Sequence, residues 1–186
     1  MIQIRKATPA DAVTIAAVHV AVWRTAYAGI LPETYLARMS VTRHASYYGA
    51  GIRSGAGVLV ATASADDLPP GSNSHVVGFT TAGPSRGTGR TLAEGEVETL
   101  YVMDDWQERG IGRSLIRGAA EHLRALGCRS AFLWVLRDNP SRWFYQRMGG
   151  RPVMEMEILV ASQPVVQLAF VWDPIDRLLA STTQGA

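Results

Sequence analysis

The alternation of apolar and polar residues changes its period along the chain, and these changes predict helices and strands. In residues 8–27 apolar residues recur at every third or fourth position, which predicts a helix capped by Thr8. From residue 57 onward short apolar runs alternate with polar loops, which predicts a series of antiparallel strands. These strands are expected at 57–64, 75–83 and 96–104, joined by loops at 65–74 and 84–95. Shorter elements are expected before them: a strand at 2–7 and helices at 32–39 and 42–55.

The strongest helical pattern lies at 112–127, where apolar residues recur at helical spacing and Gly127 provides a C-cap. The elements expected after it are a strand at 130–136, a short helix at 139–150, and strands at 153–160 and 165–172. This order predicts a mixed α+β domain with one helix-linked parallel strand pair in its centre. We expect a single domain over 1–175 and a disordered tail over 176–186.

Composition removes several classes of function. The chain of 186 residues has 18 Lys and Arg against 16 Asp and Glu, so its charge of +2 does not favour a nucleic-acid partner. Cys128 is the single cysteine, which excludes an intramolecular disulfide and a multi-cysteine metal site, and the histidines lack metal-binding spacing, so no metal is expected. Neither a secretory signal nor an apolar run of roughly 20 residues is present, so we expect a cytoplasmic protein without a membrane partner.

A glycine-rich turn, QERGIGRSL at 107–115, stands between a predicted strand and the strongest predicted helix. Backbone N–H groups at such a helix start lack partners, and the helix dipole adds about half a positive charge there. The turn therefore predicts an anion site. Two common phosphate motifs do not fit, because Leu115 stands where a dinucleotide fingerprint needs its third glycine and the Gly-Lys-Ser/Thr of a Walker loop is absent.

The spacing Gln107-x-x-Gly110-x-Gly112 resembles the acyl-CoA-binding motif of the GCN5-related N-acetyltransferases (GNAT). IRKATPADA at 4–12 is similar to the first strand and helix of that family, LYV at 100–102 to its central strand, and FYQRMGG at 144–150 to its FYxxxGF helix. The resemblance covers most of the chain. It implies an α/β (mixed α+β) GNAT-like fold: a mostly antiparallel twisted sheet with a splayed parallel strand pair and helices on both faces.

The resemblance also implies acetyl-CoA as the cosubstrate, bound where the two parallel strands separate. Its pantetheine would pair with the central strand, and its pyrophosphate would rest on the N–H groups of 109–114. The residues expected to bind it are Leu100, Tyr101, Val102, Gln107, Arg109, Gly110, Ile111, Gly112, Arg113, Ser114, Asn139 and Ser141.

Acetyl transfer from a thioester to an amine requires a base for the ammonium and a donor for the leaving thiolate. Glu96 and Glu98 are two apart on a predicted strand and so share a face; either is a candidate base. Tyr145 matches the tyrosine that serves many family members as the general acid. The family usually has an Asn seven residues before this Tyr, whereas Asn139 lies six before it, which leaves Asp138 or Ser141 as alternatives. Gly150 replaces the family's terminal Phe and removes a core contact.

The acceptor is expected to be an amine of a small molecule or peptide, in a pocket between the first helices and the last strand pair. Trp23 and Tyr27 are its candidate lining residues. Alternatives remain: a noncatalytic acyl-CoA-binding or regulatory domain, or an enzyme that transfers a longer acyl group. The last strand pair could also support a homodimer.

Overall fold

The computed structural model describes residues 1–64, 67, 76–87 and 91–183. The expected loop at 65–74 lies outside the described residues except for residue 67, as do 88–90 of the loop at 84–95. The strands are β1 (Ile2–Lys6), β2 (Gly57–Ala63), β3 (Val76–Pro84), β4 (Gly95–Val102), β5 (Ala131–Leu136), β6 (Arg151–Val160) and β7 (Gln163–Trp172). The α-helices are α1 (Ala12–Ala26), α2 (Glu33–Ala37), α3 (Val41–Arg53), α4 (Ile111–Ala125), α5 (Arg142–Arg147) and α6 (Asp176–Thr183).

In the described residues the strands form one seven-stranded sheet in the order β1-β2-β3-β4-β5-β7-β6. Neighbouring strands are antiparallel except β4 and β5, which are parallel because α4 connects them. The mixed α+β fold class and the single parallel pair were both predicted from the sequence, and the sheet confirms them.

β4 and β5 pair at one end only. Their register contains Gly95 opposite Ala131 and Glu96 opposite Phe132, and no pair follows along the rest of the described strands. β4 also carries a bulge: Thr81 lies opposite Thr99 and Ala82 opposite Val97, so Glu98 is the extra residue. A bulge increases the local twist and bend of its strand. The two strands therefore separate just beyond Glu96, and the sheet opens there.

Helices pack on both faces of the sheet. On one face α1 and α3 bury Ile15, Val18 and Tyr48 against β2 and β3. On the other face α4 contributes Ile116 and Leu123 to a core with β5 and β7. Because both faces are covered, the strands next to the opening are held in place from two sides.

The predicted disordered tail is wrong for 176–183. These residues form α6, whose Leu178 and Leu179 are buried in the same core as α4. The prediction of a disordered tail did not take account of these two adjacent apolar residues. A helix of this length is too short to form alone, and packing against α4 stabilises it. Residues 184–186 lie outside the described part.

The amino-terminal helix begins later than predicted. Pro9–Asp11 form a 3₁₀ turn, and α1 starts at Ala12. The Asp11 carboxylate accepts hydrogen bonds from the Thr8 N–H at 2.7 Å and the Thr8 hydroxyl at 2.9 Å, and two more from Arg5, each at 2.8 Å. Asp11 thus joins the end of β1 to the start of α1.

Candidate active site

A cleft of about 550 Å³ opens where β4 and β5 separate. β4 and β5 form its walls, the turn before α4 closes one end, and α5 lies along its side. Most of the residues proposed from the sequence meet here. Those that line the cleft are Tyr27, Glu98, Leu100, Tyr101, Val102, Gln107, Gly110, Gly112, Arg113, Asn139, Ser141 and Tyr145.

The glycine-rich turn has a fixed shape at the end of the cleft. Gly110 is the N-cap of α4 with φ of 77°, a left-handed conformation that favours glycine. The Gln107 side-chain amide donates to the Val102 carbonyl at 3.2 Å and to Asp104 Oδ1 at 3.0 Å. Gln107 therefore fastens the turn to the end of β4, a structural reason for its place in the motif.

The first turn of α4 presents backbone N–H groups to the cleft. Ile111 and Gly112 occupy its first two positions, where an N–H has no carbonyl partner within the helix. The Ser114 N–H, in contrast, donates to the Gly110 carbonyl at 3.0 Å, and its hydroxyl donates to the same oxygen at 3.2 Å. The helix already uses the Ser114 N–H, so the phosphate contact expected for Ser114 stays a prediction that this geometry does not favour.

Gly112 leaves space that a side chain would fill. A Cβ at this position would lie 3.7 Å from Phe144 and 4.0 Å from Val102 Cγ2, both ordinary contact distances. The free protein could accept such an atom. A phosphate group that approached the helix start closely would meet this atom, so the first turn of α4 with a glycine at 112, called the cradle below, fits an anion seat.

The side chains around the turn divide between core and cleft. The Arg109 guanidinium lies over the Trp106 ring, 4.9 Å from its centroid, and does not line the cleft, whereas Arg113 does. Ile111 is buried among β2, β3 and α4 residues, so only its backbone can contact a ligand. Of the two arginines proposed for phosphate, the geometry favours Arg113.

Asn139 is buried in the cleft wall despite its altered spacing from Tyr145. Its Oδ1 accepts a hydrogen bond from the Ser141 N–H at 2.9 Å. Its side chain also acts on the Tyr27 hydroxyl and partly offsets the rise that burial causes in the Tyr27 pKa. The loop before α5 therefore absorbs the missing residue, and Asn139, Ser141 and Tyr145 line one cleft.

Tyr145 lies at the cleft side of the central core. Its ring meets Phe144 edge-on at 5.3 Å and Phe170 at 6.1 Å. Burial, and to a smaller extent the nearby Tyr27, raises the pKa of Tyr145 far above the usual range of a phenol. Its hydroxyl consequently stays protonated at any working pH and can donate a hydrogen bond.

A hollow of about 680 Å³ lies on the α1 and α3 side of β4. It shares Glu98, Thr99 and Tyr101 with the cleft, so the two spaces meet at the middle of β4. Trp23 lines this hollow while Tyr27 lines the cleft; the two residues do not share a pocket as expected. Tyr27 and Trp23 do lie in one apolar cluster with Val160 of β6 and Val165 of β7.

Sequence reasoning missed several polar residues of the hollow: His19, Arg43, His44 and Arg86. The spacing from His19 to Trp23 on α1 and from His44 to Tyr48 on α3, four residues in each case, places each pair on one helix face. That spacing was a usable signal. Arg86 lies in the predicted loop at 84–95, and its position in that loop did not by itself single it out.

The structure distinguishes the two candidate bases by their partners. The Glu98 carboxylate accepts from the Arg86 guanidinium and, at 3.5 Å, from the Thr81 hydroxyl. Glu96 is half-buried, and its carboxylate makes no ion pair or hydrogen bond with the residues described. Burial raises the pKa of Glu96, the negative charge of Glu98 raises it further, and Arg86 partly opposes both.

Within 1–64, 67, 76–87 and 91–183, no three His, Cys, Asp or Glu side chains come together as metal ligands. Over the same residues, no helix has both the length and the apolar surface to span a bilayer.

Comparison with known proteins places the chain among acetyltransferases. The Acetyltransferase (GNAT) family profile matches residues 23–150. The uncharacterized N-acetyltransferase YuaI of Bacillus subtilis (strain 168) is 32% identical over 178 residues, which is 96% of each chain.

Solved structures share the fold. The structure of yncA from Salmonella typhimurium with its cofactor acetyl-CoA superposes with a TM-score of 0.66 at 22% identity, over 93% of this chain and 94% of that one. PaiA N-acetyltransferase from Thermoplasma acidophilum, in complex with coenzyme A, gives 0.64 at 20% identity over 90% and 98%. Together with the profile and the curated relative, these matches confirm the resemblance read from the motifs: the chain belongs to the GNAT family and is an N-acetyltransferase.

Proposed function

We propose that the protein transfers an acetyl group from acetyl-CoA directly to a primary amine of a small molecule or peptide. The observation that carries the proposal is the meeting of the cleft and the hollow at β4, where Glu98, Thr99 and Tyr101 line both. A donor in the cleft and an acceptor in the hollow would reach the same stretch of strand. Cys128, the single cysteine, lines neither space, which supports direct transfer without an acyl-cysteine.

The cleft fits coenzyme A at both its ends. The N–H groups of Ile111 and Gly112, with the Arg113 guanidinium, would hold the pyrophosphate. Among the described residues, no strand pairs with the cleft edge of β4 beyond Glu96, so the backbone of 100–102 can pair with the pantetheine amides. Acetyl-CoA, when bound, supplies the acetyl thioester whose C–S bond breaks as the C–N bond to the amine forms.

Glu96 is the base in this proposal. An acceptor ammonium must lose a proton before its nitrogen can attack, and the Glu96 carboxylate can take that proton directly or through water. Its raised pKa makes it a better base than an exposed glutamate, and it has no competing ion pair among the described residues. The Glu98 carboxylate is paired with Arg86, and its negative charge raises the pKa of Glu96 further.

Tyr145 would hold the leaving thiolate. Its phenol is protonated because its pKa is raised far above that of a thiol near ~8.5, so it donates a hydrogen bond and does not give up its proton. The thiolate then takes a proton from water as it leaves. The ammonium gives its first proton to Glu96, which later releases it to solvent. The nitrogen gives a second proton to water as the C–S bond breaks, and this proton replaces the one that water gave to the thiolate.

Thiol release from acetyl-CoA, measured across a panel of primary amines, tests the proposal. Glu96→Gln should lower kcat by about 100-fold or more while the affinity for CoA is kept, because a positioned base contributes roughly 10² to 10⁴. Glu121→Gln, an exposed glutamate on α4, is the matched control and should leave kcat unchanged.

Two other outcomes are informative. Tight CoA binding without thiol release for any amine would favour a noncatalytic acyl-CoA-binding domain. Faster release from propionyl- or succinyl-CoA than from acetyl-CoA would mean that a longer acyl group is transferred.

A further inference from the structure

The hollow on the α1 and α3 side of β4 holds charges of both signs. Two carboxylates, Glu96 and Glu98, and two guanidiniums, Arg43 and Arg86, line it. A pocket for a simple cationic amine would need only the carboxylates. The arginines therefore point to an acceptor with a second, negative group.

The charges in the hollow are not all paired. Arg86 donates to Glu98, which leaves one carboxylate and one guanidinium. Neither Glu96 nor Arg43 forms an ion pair with another residue in the part of the chain that the structure describes. Arg43 is exposed in the first turn of α3, whereas Glu96 is half-buried on β4. Of the lining residues that the structure describes, one carboxylate and one guanidinium thus remain without an ion pair, on two different elements.

The two histidines of the hollow do not add positive charge at neutral pH. Burial, reinforced by His44, lowers the pKa of His19 to about 3, and its Nδ1 lies 2.7 Å from the Tyr48 hydroxyl. Burial also lowers the pKa of His44, with a contribution from Arg43. The rings stack with centroids 4.2 Å apart. Among the described residues, Arg43 is consequently the one cation of the hollow without an ion pair.

Aromatic rings form the remaining walls: Trp23, Tyr47, Tyr48 and Tyr101. Apolar walls reduce the screening of a ligand charge beside the half-buried Glu96 more than beside the exposed Arg43. They also offer contact surface to the carbon chain that separates an amine from an anionic group.

We propose that the acceptor is a small amine that also carries an anionic group, a carboxylate or a phosphonate, with its ammonium at Glu96 and its anion at Arg43. This assignment rests on the proposed function, because it names the acceptor of that same site. An uncharged tail would leave Arg43 without a partner. A diamine would place a second cation beside Arg43 and Arg86, which like charge disfavours.

Matched amines of similar length separate these cases. The probes are 4-aminobutanoate, 3-aminopropylphosphonate, n-butylamine and putrescine, compared by kcat/KM for thiol release and by calorimetric binding to the CoA-loaded protein. The kcat/KM and the affinity of the anionic amines should exceed those of n-butylamine by at least about 10-fold, because n-butylamine has no anionic group to contact Arg43. Carboxylate and phosphonate are told apart by which of the two probes binds more tightly.

Arg43→Gln provides the residue-level test. It should raise KM for the preferred anionic amine by about 10-fold and leave n-butylamine unchanged. Arg53→Gln, at the other end of α3 and outside the hollow, should change neither. If Arg43→Gln changed KM equally for the anionic amines and for n-butylamine, the assignment of the anion to Arg43 would be overturned.

Failure of this inference differs from failure of the proposed function. Turnover or binding that favours n-butylamine or putrescine would reject the anionic acceptor while acetyl transfer stands. Absence of thiol release with every probe would reject the proposed function. The calorimetric preference between anionic and neutral amines would then still decide the inference.

Discussion

The Arg86 guanidinium, just after β3, donates to the Glu98 carboxylate at the bulge of β4. This contact gives Glu98 and Glu96 different surroundings, which the sequence alone did not reveal. Glu98 is engaged, whereas Glu96, facing the same hollow, has no charged or hydrogen-bonding partner among the described residues. The charge of Arg86 also acts on Glu96, whose pKa it lowers against the effects of burial and of Glu98.

Substitution of Arg86 and substitution of Glu98 should shift the acidic limb of the pH–activity profile in opposite directions. A base must be ionised to work, so activity falls as the pH drops through the pKa of Glu96. Arg86→Gln removes the charge that lowers this pKa, so the acidic limb of kcat/KM should move to higher pH. Glu98→Gln removes the charge that raises it, so the limb should move to lower pH.

Both variants keep all the other titratable groups of the hollow, so a shift of the acidic limb reports on the substituted charge. Those groups are His19, Arg43, His44, Tyr47, Tyr48 and Tyr101. Shifts in the same direction for both variants, or an unmoved limb, would show that Glu96 is not the base. Because Arg86 is largely exposed, the shift it causes should shrink at high salt.

Tyr145→Phe tests the thiolate donor. It removes one hydroxyl from a ring that the core keeps in place, so the melting temperature and CoA affinity should change little. The rate should fall by about 100-fold, and the pH profile should keep its shape, since the hydroxyl does not titrate in the working range. Loss of an alkaline limb on substitution would contradict this role.

The two motif glycines should fail in different ways. Gly112→Trp places a ring in the cleft, so CoA binding by calorimetry should weaken by at least about 100-fold with little change in melting temperature. Gly110→Ala instead strains a backbone at φ of 77° with nothing within 4 Å of the new Cβ. It should cost about 1 kcal/mol of stability. Unchanged CoA affinity in Gly112→Trp would reject the cradle.

Much of the fold was predictable because the spacing of apolar residues along the chain determines most of its helices and strands. The strands of the meander and helix α4 follow from apolar spacing, and the glycine turn from its position between them. The partners of Glu98 were not predictable in this way. Arg86 reaches the site through the β3–β4 pairing and the bulge, and a sequence pattern of period two does not reveal a bulge.

Gly150 illustrates a second limit. The missing terminal Phe of the family motif predicted a lost core contact. In the structure the Trp172 ring of β7 occupies this region: a Cβ on Gly150 would lie 2.7 Å from it, and its Nε1 donates to the Met148 carbonyl at 2.8 Å. The compensating residue comes from a different strand, so only the folded chain shows it.

Asp11→Asn should destabilise the junction of β1 and α1, with a pH dependence that identifies the cause. The hydrogen bonds from Arg5, and then those from Thr8, outweigh burial and lower the Asp11 pKa to about 2. A carboxyl with a lowered pKa stabilises the folded state above its unfolded pKa, near ~4, and loses that effect as pH falls toward 2. The variant should therefore lose about 2 kcal/mol of unfolding free energy at pH 7 and clearly less at pH 3. Denaturant unfolding at both pH values measures this, with Asp138→Asn, an exposed carboxyl 3.8 Å from Arg137, as the control. A loss that stays equal at the two pH values would mean that Asp11 stabilises the junction by shape and not by charge.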